Sequence, residues 1–374
     1  MKILFINSVC GTGSTGKICV TLAKELEQQG HKVKIACGAR HNVSEDGKKY
    51  AVIIGNKKDM YFHLIKSRFG DRHGFASKKA TLKFINWAEE YNPDLLCLHN
   101  LHGYYLNIAV LFNWIKSRPQ MQVKWTLHDC WAFTGHCTHF VLKGCQKWKT
   151  RCKRCPLRNK YPKSLFGDAS SRNHKEKEAL FSNIRNMTII TPSYWMKDLA
   201  NQSFLKQYPI EVVRNVIDID IFKPTESNFR EKYNLADKTI VLGVSNVWGN
   251  KKGYNYMLEL ASLLGNKYAV VIVGDVLKES QKLPTPPNCV FIKRTENQHQ
   301  LAEIYSAADV FFNPTILDNY PTVNLEAEAC GTPVVTFDTG GAKETIHLPK
   351  SKVIAQGAIH TAFEVIQELT ENEE

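Results

Sequence analysis

Short apolar runs alternate along the chain with stretches whose apolar residues return at helical spacing. Residues 2–9 (KILFINSV), 31–38 (HKVKIACG), 94–98 (DLLCL), 122–128 (QVKWTLH) and 187–193 (MTIITPS) read as strands. An amphipathic helix from Gly16 to Gln29, closed by Gly30, separates the first two. Apolar strands alternating with helices describe a parallel sheet covered on both faces. The rhythm lapses over 215–236 and then restarts with TIVLGVS (239–245), YAVVIVGD (268–275), NCVFIKR (288–294), DVFFNPT (309–315) and TPVVTFD (332–338). The pattern predicts an α/β protein of two Rossmann-like domains, 1–214 and 237–374, with a linker at 215–236. Ligands of such domains bind at the carboxyl ends of the strands, so two domains facing each other are expected to share one cleft. The closing ELTENEE reads as the end of a helix.

Length and charge narrow the function. The 374 residues suit two domains, and 43% hydrophobic with 23% charged residues is a globular composition. No apolar run reaches the ~18 residues needed to span a bilayer, and MKILFINSV followed by polar glycines is not a signal peptide. A cytoplasmic protein is expected, its eleven cysteines reduced or metal-bound rather than disulfide-linked. The net charge of +13 calls for an anionic partner. Lys143 to Lys163 holds nine Lys or Arg and no acid, and a second basic stretch runs from Lys57 to Lys83. A face toward anionic lipid or phosphate fits both. Nucleic acid does not, because stacking aromatics interleaved with base-reading residues are missing.

Between the first strand and helix stands Gly11-Thr-Gly13-Ser14-Thr-Gly16-Lys17. It matches GxGxxG, whose dinucleotide reading asks for an acid at the end of the second strand; Arg40 stands near there instead and would suit a 2′-phosphate, which keeps an NADP-dependent oxidoreductase open. It also matches GxxxxGK, but Ile18 replaces the hydroxyl residue that would hold magnesium. The third reading is simpler: Gly13, Ser14 and Gly16 let helix-end amides approach a phosphate.

Asp318 and Glu326 lie eight positions apart in NPTILDNYPTVNLEAEACGTPVVTFDTGG (313–341). Pro321 or Thr322 starts a helix, which leaves Asp318 in the preceding loop and Glu326 on the early turns. Carboxylates so placed can accept hydrogen bonds from sugar and ribose hydroxyls, and amides around Tyr320, Thr322 and Val323 can meet phosphate oxygens.

This segment resembles the retaining glycosyltransferases of the GT-B fold, family 4 in particular, whose signature is an acid, seven residues, Glu, and a small-residue run ending in GTPVV. The first acid, usually Glu, is here Asp318. YSAADVFFNPT and SNVWGNKKGYNYMLELASLL are similar to the family too, and the resemblance makes Lys252 a diphosphate ligand. Where an Arg is common a few residues earlier, this chain has Asn246 and Trp248; Arg294 is a candidate replacement. MKILFINSVCGTGSTGKI, HNLHGYYLN, LHDCWAFTGHC and the cysteine-rich segment resemble the branch that builds capsule, exopolysaccharide and colanic-acid repeats. The resemblance thus implies two Rossmann-like domains facing across a cleft. The activity it implies moves a sugar from a nucleotide-sugar donor, with retention at C1, to a lipid-linked glycan at the inner face of the plasma membrane. No cofactor is required for that catalysis. The aspartate at 318 and the absent Arg keep an inactive nucleotide-sugar or phospholipid-binding module open.

His128 ends the strand QVKWTLH, where a sheet meets its ligand, and Asp129 follows to orient it or a neighbour; in the family a His here touches the donor sugar. His99 and His102 are candidates for the acceptor side. Lastly, Cys137, Cys145, Cys152 and Cys155 form C-x7-C-x6-C-x2-C within the basic insertion at about 130–163. The final CxxC is a metal hook suited to a structural zinc, with His136, His139 and Cys130 as alternative ligands and plain reduced cysteines as the alternative state.

Overall fold

The computed structural model of the chain describes residues 1–40 and 42–371, so the last three residues of the acidic tail lie outside it. Two compact units divide at Arg214/Asn215. The first holds seven strands: β1 (Lys2–Ile6), β2 (Lys32–Gly38), β3 (Ala51–Ile54), β4 (Leu95–Leu98), β5 (Gln122–Thr126), β6 (Met187–Thr191) and β7 (Ile210–Val212). They form one sheet in the order β3-β2-β1-β4-β5-β6-β7, with every pairing parallel. The second unit holds β8 (Thr239–Trp248), β9 (Tyr268–Val276), β10 (Cys289–Ile292), β11 (Val310–Asn313), β12 (Val334–Phe337) and β13 (Lys352–Ile354). Their order is β10-β9-β8-β11-β12-β13, again all parallel.

Both sheets are doubly wound. The chain runs outward from β1 to β3, then returns to the other flank of β1 with β4, and it repeats this about β8 and β11. A topological switch point therefore falls between β1 and β4 and another between β8 and β11, and crevices form outside such points. Apolar side chains on both faces of the central strands, among them Val270, Val271, Ile272, Phe311 and Phe312, are buried, which is why these segments lack alternation. Polar caps start several helices: the Asn56, Asn107 and Asn297 side chains each accept an amide of the first turn.

Residues 215–236, expected as a linker, belong to the second unit. Phe222, Phe229 and Leu235 are buried against Tyr305 and Phe311 there. The apolar side chains that interrupt this stretch's periodicity are core residues on irregular backbone, where no helical or strand spacing marks them.

The basic insertion follows β5 and carries only single 3-10 turns, at Trp131–Phe133, Val141–Lys143 and Lys147–Lys149. A buried lysine on the helix Ser170–Phe181 ties it down. Lys177 Nζ donates to the carbonyls of Trp131 (2.7 Å) and Thr134 (2.9 Å) and lies 3.4 Å from the Trp131 ring centroid. Burial lowers this ammonium to about 7.

Candidate active site

Beside the first unit's switch point, the ends of β4 and β5 gather titratable groups. β4 and β5 pair in register, with Leu98 opposite Trp125, so the residues just beyond them emerge side by side. His99 Nδ1 and His128 Nε2 are 2.8 Å apart, and their rings stack at 5.1 Å. His102 Nε2 meets Asp129 Oδ2 at 2.7 Å, and its Nδ1 meets the Tyr161 hydroxyl at 3.0 Å. The four residues proposed from this half of the sequence, His99, His102, His128 and Asp129, thus line one small crevice. Tyr161, which ends the basic stretch, joins them; nothing in its local sequence signals that contact.

Desolvation sets the charges here. Burial lowers His128 to about 4, with His102 acting in the same direction and Asp129 opposing. Burial also drives His99 well below the usual imidazole range. For Asp129 burial acts upward, but the coulombic pull and hydrogen bond of His102, with the Trp131 amide at 2.8 Å, outweigh it and hold the carboxyl at about 2. At neutral pH the crevice therefore offers neutral His99 and His128 beside the Asp129 carboxylate.

The glycine segment lies at the end of β1. Its helix begins at Gly13 rather than Gly16, so Gly13 and Ser14 are exposed in the first turn and Gly16 is buried beneath it. Gly11 has φ +70°, and a β-carbon there would stand 1.7 Å from Ser44 Oγ. Nothing lies within 4 Å of a β-carbon placed at Gly13, so the helix end is open on that side. Arg40 stacks its guanidinium 5.7 Å from the Tyr104 ring.

In the second unit, Lys252 follows β8 and Asp318 follows β11, the two strands that flank the switch point. Lys252 Nζ donates to Asp318 Oδ2 at 2.6 Å, with both side chains partly exposed. Backbone approach fixes this pair. Gly253 has φ +73°, and a β-carbon there would sit 2.0 Å from the Pro314 carbonyl oxygen; Gly340, at φ +57°, would bring one to 1.9 Å from the Asp318 carbonyl oxygen. The Ile316 amide donates to the Lys251 carbonyl (3.1 Å), and the Thr339 hydroxyl donates to that of Thr315 (2.8 Å). The acid-bearing loop is thereby held between the loops after β8 and β12.

Pro321 caps the helix Thr322–Ala329 without a side-chain hydrogen bond, which leaves the first amides, at Thr322 and Val323, as donors. Tyr320 is buried beside them. Glu326 takes a different partner from Asp318: its Oε2 accepts the hydroxyl of buried Tyr305 at 3.1 Å. Asn246 is exposed at the irregularity between β8 and β9. Trp248, at the position where a cation was sought, is buried with its indole N–H on the Val273 carbonyl (2.9 Å). Arg294 ion-pairs with Asp275 at 3.4 Å on the surface. Lys252 and Asp318 are joined; Asn246 lies near the carboxyl end of β8, and Arg294 lies just beyond that of β10, on Asp275. Gly340 is the residue the geometry adds, and its signal was the paired glycine after β12.

An anion arriving between β8 and β11 meets a lysine, helix-start amides and a carboxylate able to take hydroxyl protons. That combination suits a phosphate attached to a polyhydroxy group.

Residues 15–221 match the family described as Glycosyltransferase Family 4, and residues 225–374 match that described as Glycosyl transferases group 1. The chain is 25% identical to the putative colanic acid biosynthesis glycosyl transferase WcaC of Escherichia coli, covering 95% of this chain and 88% of that one. It is 26% identical to a D-inositol 3-phosphate glycosyltransferase of Corynebacterium jeikeium, over 93% and 81% of the two chains. Among solved structures it is similar to sucrose-phosphate synthase from Thermosynechococcus elongatus, with TM-score 0.70, 16% identity and coverage of 99% and 90%. It is also similar to Anabaena HepE in complex with UDP and glucose, with TM-score 0.67, 16% identity and coverage of 100% and 90%. These structures share the fold, two Rossmann-like units of the GT-B type.

Proposed function

We propose, from the premise that the chain belongs to glycosyltransferase family 4, that it transfers a hexose from a nucleoside diphosphate sugar to a surface-glycan acceptor with retention at C1. The observation that carries this reading is the Lys252–Asp318 pair at the switch point of the second sheet. Breaking the bond between C1 and phosphate leaves negative charge on the diphosphate, and preorganised donors stabilise it. Lys252 and the amides at the start of Thr322–Ala329 are such donors. Asp318, released from Lys252, accepts a sugar hydroxyl, and Glu326 accepts from ribose. The acceptor hydroxyl gives its proton to the departing phosphate oxygen as the new C1–O bond forms on the same face, so no separate nucleophile enters. His128, neutral by burial, contributes a hydrogen bond to the reacting sugar, and His99, His102 and Asp129 shape the acceptor side. The HepE complexes with UDP and with UDP-glucose favour uridine nucleotides as the first donors to test, and the WcaC likeness favours polysaccharide biosynthesis.

The acceptor is proposed to be lipid-linked and met at an anionic membrane face. The helix Lys57–Gly70 exposes Tyr61, Phe62, Ile65 and Phe69, and Phe69 stacks at 5.4 Å on Phe166, which is 71% exposed. The Leu165 amide donates to the Arg68 carbonyl at 2.7 Å, so the two basic stretches adjoin. Exposed aromatics ringed by lysines and arginines suit the interface of an anionic bilayer. Among the described residues no helix is long and apolar enough to cross a membrane.

Thermal shift against UDP-, GDP- and other nucleotide sugars, followed by transfer assays and anomeric analysis of the product, tests the reaction. One nucleotide class should stabilise the protein and be consumed. Transfer that survives Lys252→Ala and Asp318→Ala unchanged overturns the assignment, and binding without turnover returns the protein to a binding module. Flotation with phosphatidylglycerol-containing vesicles tests the surface: binding should fall in F62S/F69S and in neutral vesicles.

A further inference from the structure

We infer that Cys137, Cys145, Cys152 and Cys155 bind a structural zinc ion that staples the basic insertion, a role independent of the sugar-transfer reading. All four cysteines line one small cavity, together with His136 and Trp148. One backbone amide already donates to sulfur: Gly135 N–H to Cys152 Sγ at 3.3 Å. A thiol accepts weakly, whereas a metal-bound thiolate is a good acceptor, and amide–sulfur bonds are the outer shell that orients such ligands. Cys137 and Cys155 are neighbours in this cavity. Among the described residues no three ligand groups stand at coordination spacing as the side chains lie. Binding the ion therefore requires the cysteines to turn about χ1 into the cavity they line, a change between staggered wells.

The fold gives a physical reason for a staple. Between Thr134 and Ala169 regular structure is limited to two 3-10 turns, yet Phe140 and Trp148 are buried. A long segment without ladder hydrogen bonds is uncommon in a compact domain unless something closes it. Its polar ties include His136 on Asp71 at 2.5 Å, the Trp148 carbonyl on His174 at 3.0 Å, the Cys155 amide on Asp168 at 2.7 Å and Tyr161 on His102 at 3.0 Å. Lys147, on the cavity wall, donates to the carbonyls of Lys153 and Arg154 (3.2 and 3.3 Å) and folds the stretch that ends at Cys155 back on itself. Four thiolates around a divalent ion carry net negative charge, and the acid-free run from Lys143 to Lys163 supplies counter-charge. An all-sulfur tetrahedral set selects zinc over harder cations and leaves no open position, so the role is structural.

The test is elemental analysis of the full chain, purified without metal-affinity steps under reducing conditions from zinc-supplemented culture, together with cobalt(II) exchange. About one zinc per chain is expected, released by a mercurial thiol reagent, with cobalt giving thiolate-to-metal absorption. Cys152→Ser should lose the metal, and Cys289→Ser, in the second unit, should keep it. The wild-type measurement stands even where Cys152→Ser fails to fold. Wild-type protein that holds no zinc and shows no thiolate absorption with cobalt overturns the inference. So does a mass lighter by the hydrogens of a Cys137–Cys155 disulfide in protein prepared under the same conditions.

Discussion

The crevice after β4 and β5 and the switch point after β8 and β11 are built from the same topology and prepared in opposite ways. After β4 and β5 the groups are buried and already satisfy one another: His99 on His128, His102 on Asp129 and Tyr161. After β8 and β11 the lysine and aspartate are partly exposed and hold each other by a contact that a ligand can exchange. The first site is desolvated in advance, so its protonation states are fixed before anything binds. The second remains partly exposed, and in the proposed reaction an anion displaces Asp318 from Lys252. A doubly wound sheet thus supplies only the position; the degree of burial decides whether the crevice acts as a fixed dipole array or as a charge receptor.

Substitutions can break this contrast. The largest effect is expected at Lys252→Ala, a fall in kcat of ~10²–10³ in a nucleotide-release assay; a loss below twofold would show that Lys252 is not the receptor cation. His128→Ala should cost about 10- to 100-fold, the worth of a hydrogen bond to a charged or developing-charge group. Because His128 is held to about 4, His128 should add no step to the wild-type rate between pH 5 and 8. A step near the ordinary imidazole value that His128→Gln removes would mean that the first site is not desolvated. Gly340→Ala forces a β-carbon against the Asp318 carbonyl at positive φ, which should cost about 1–3 kcal/mol in stability and weaken donor binding in calorimetry.

The smallest effect is a slope. Asp129 has a native value of about 2, below its unfolded one, so its contribution is present above pH ~4 and is lost as the pH falls toward 2. His128 is also lowered, so the unfolded chain binds the extra proton between pH ~4 and ~6.5, and stability falls with pH through that window. Urea titrations should show both losses in the wild type. Asp129→Asn should remove the lower one.

Much of this was legible. Long apolar runs disclosed the central strands of both sheets, and the acid pair with GTPVV disclosed the crevice after β11. The strands that escaped notice, β3, β7 and β13, are all sheet edges of three or four residues, too short for a periodic signal. Other features depend on strand order rather than on local sequence. The contact of His99 with His128 requires β4 beside β5. The tie of Glu326 to Tyr305 requires the helix Gln298–Ser306 to pack on Thr322–Ala329. Tyr161 reaches His102 only through the path of an irregular insertion, which no spacing rule predicts.

The glycines at 253 and 340 have one more consequence. With a carbonyl oxygen occupying the space of each missing β-carbon, the strand-end loop carrying residue 318 has no slack on either flank. Its backbone cannot slide forward to make up for a shorter acid. An aspartate, where the family usually has glutamate, therefore sets the carboxylate back by one methylene, and the volume it vacates falls to whatever sugar is carried. In the proposed reaction, donor choice is in part a matter of a ruler cut short at a fixed mount.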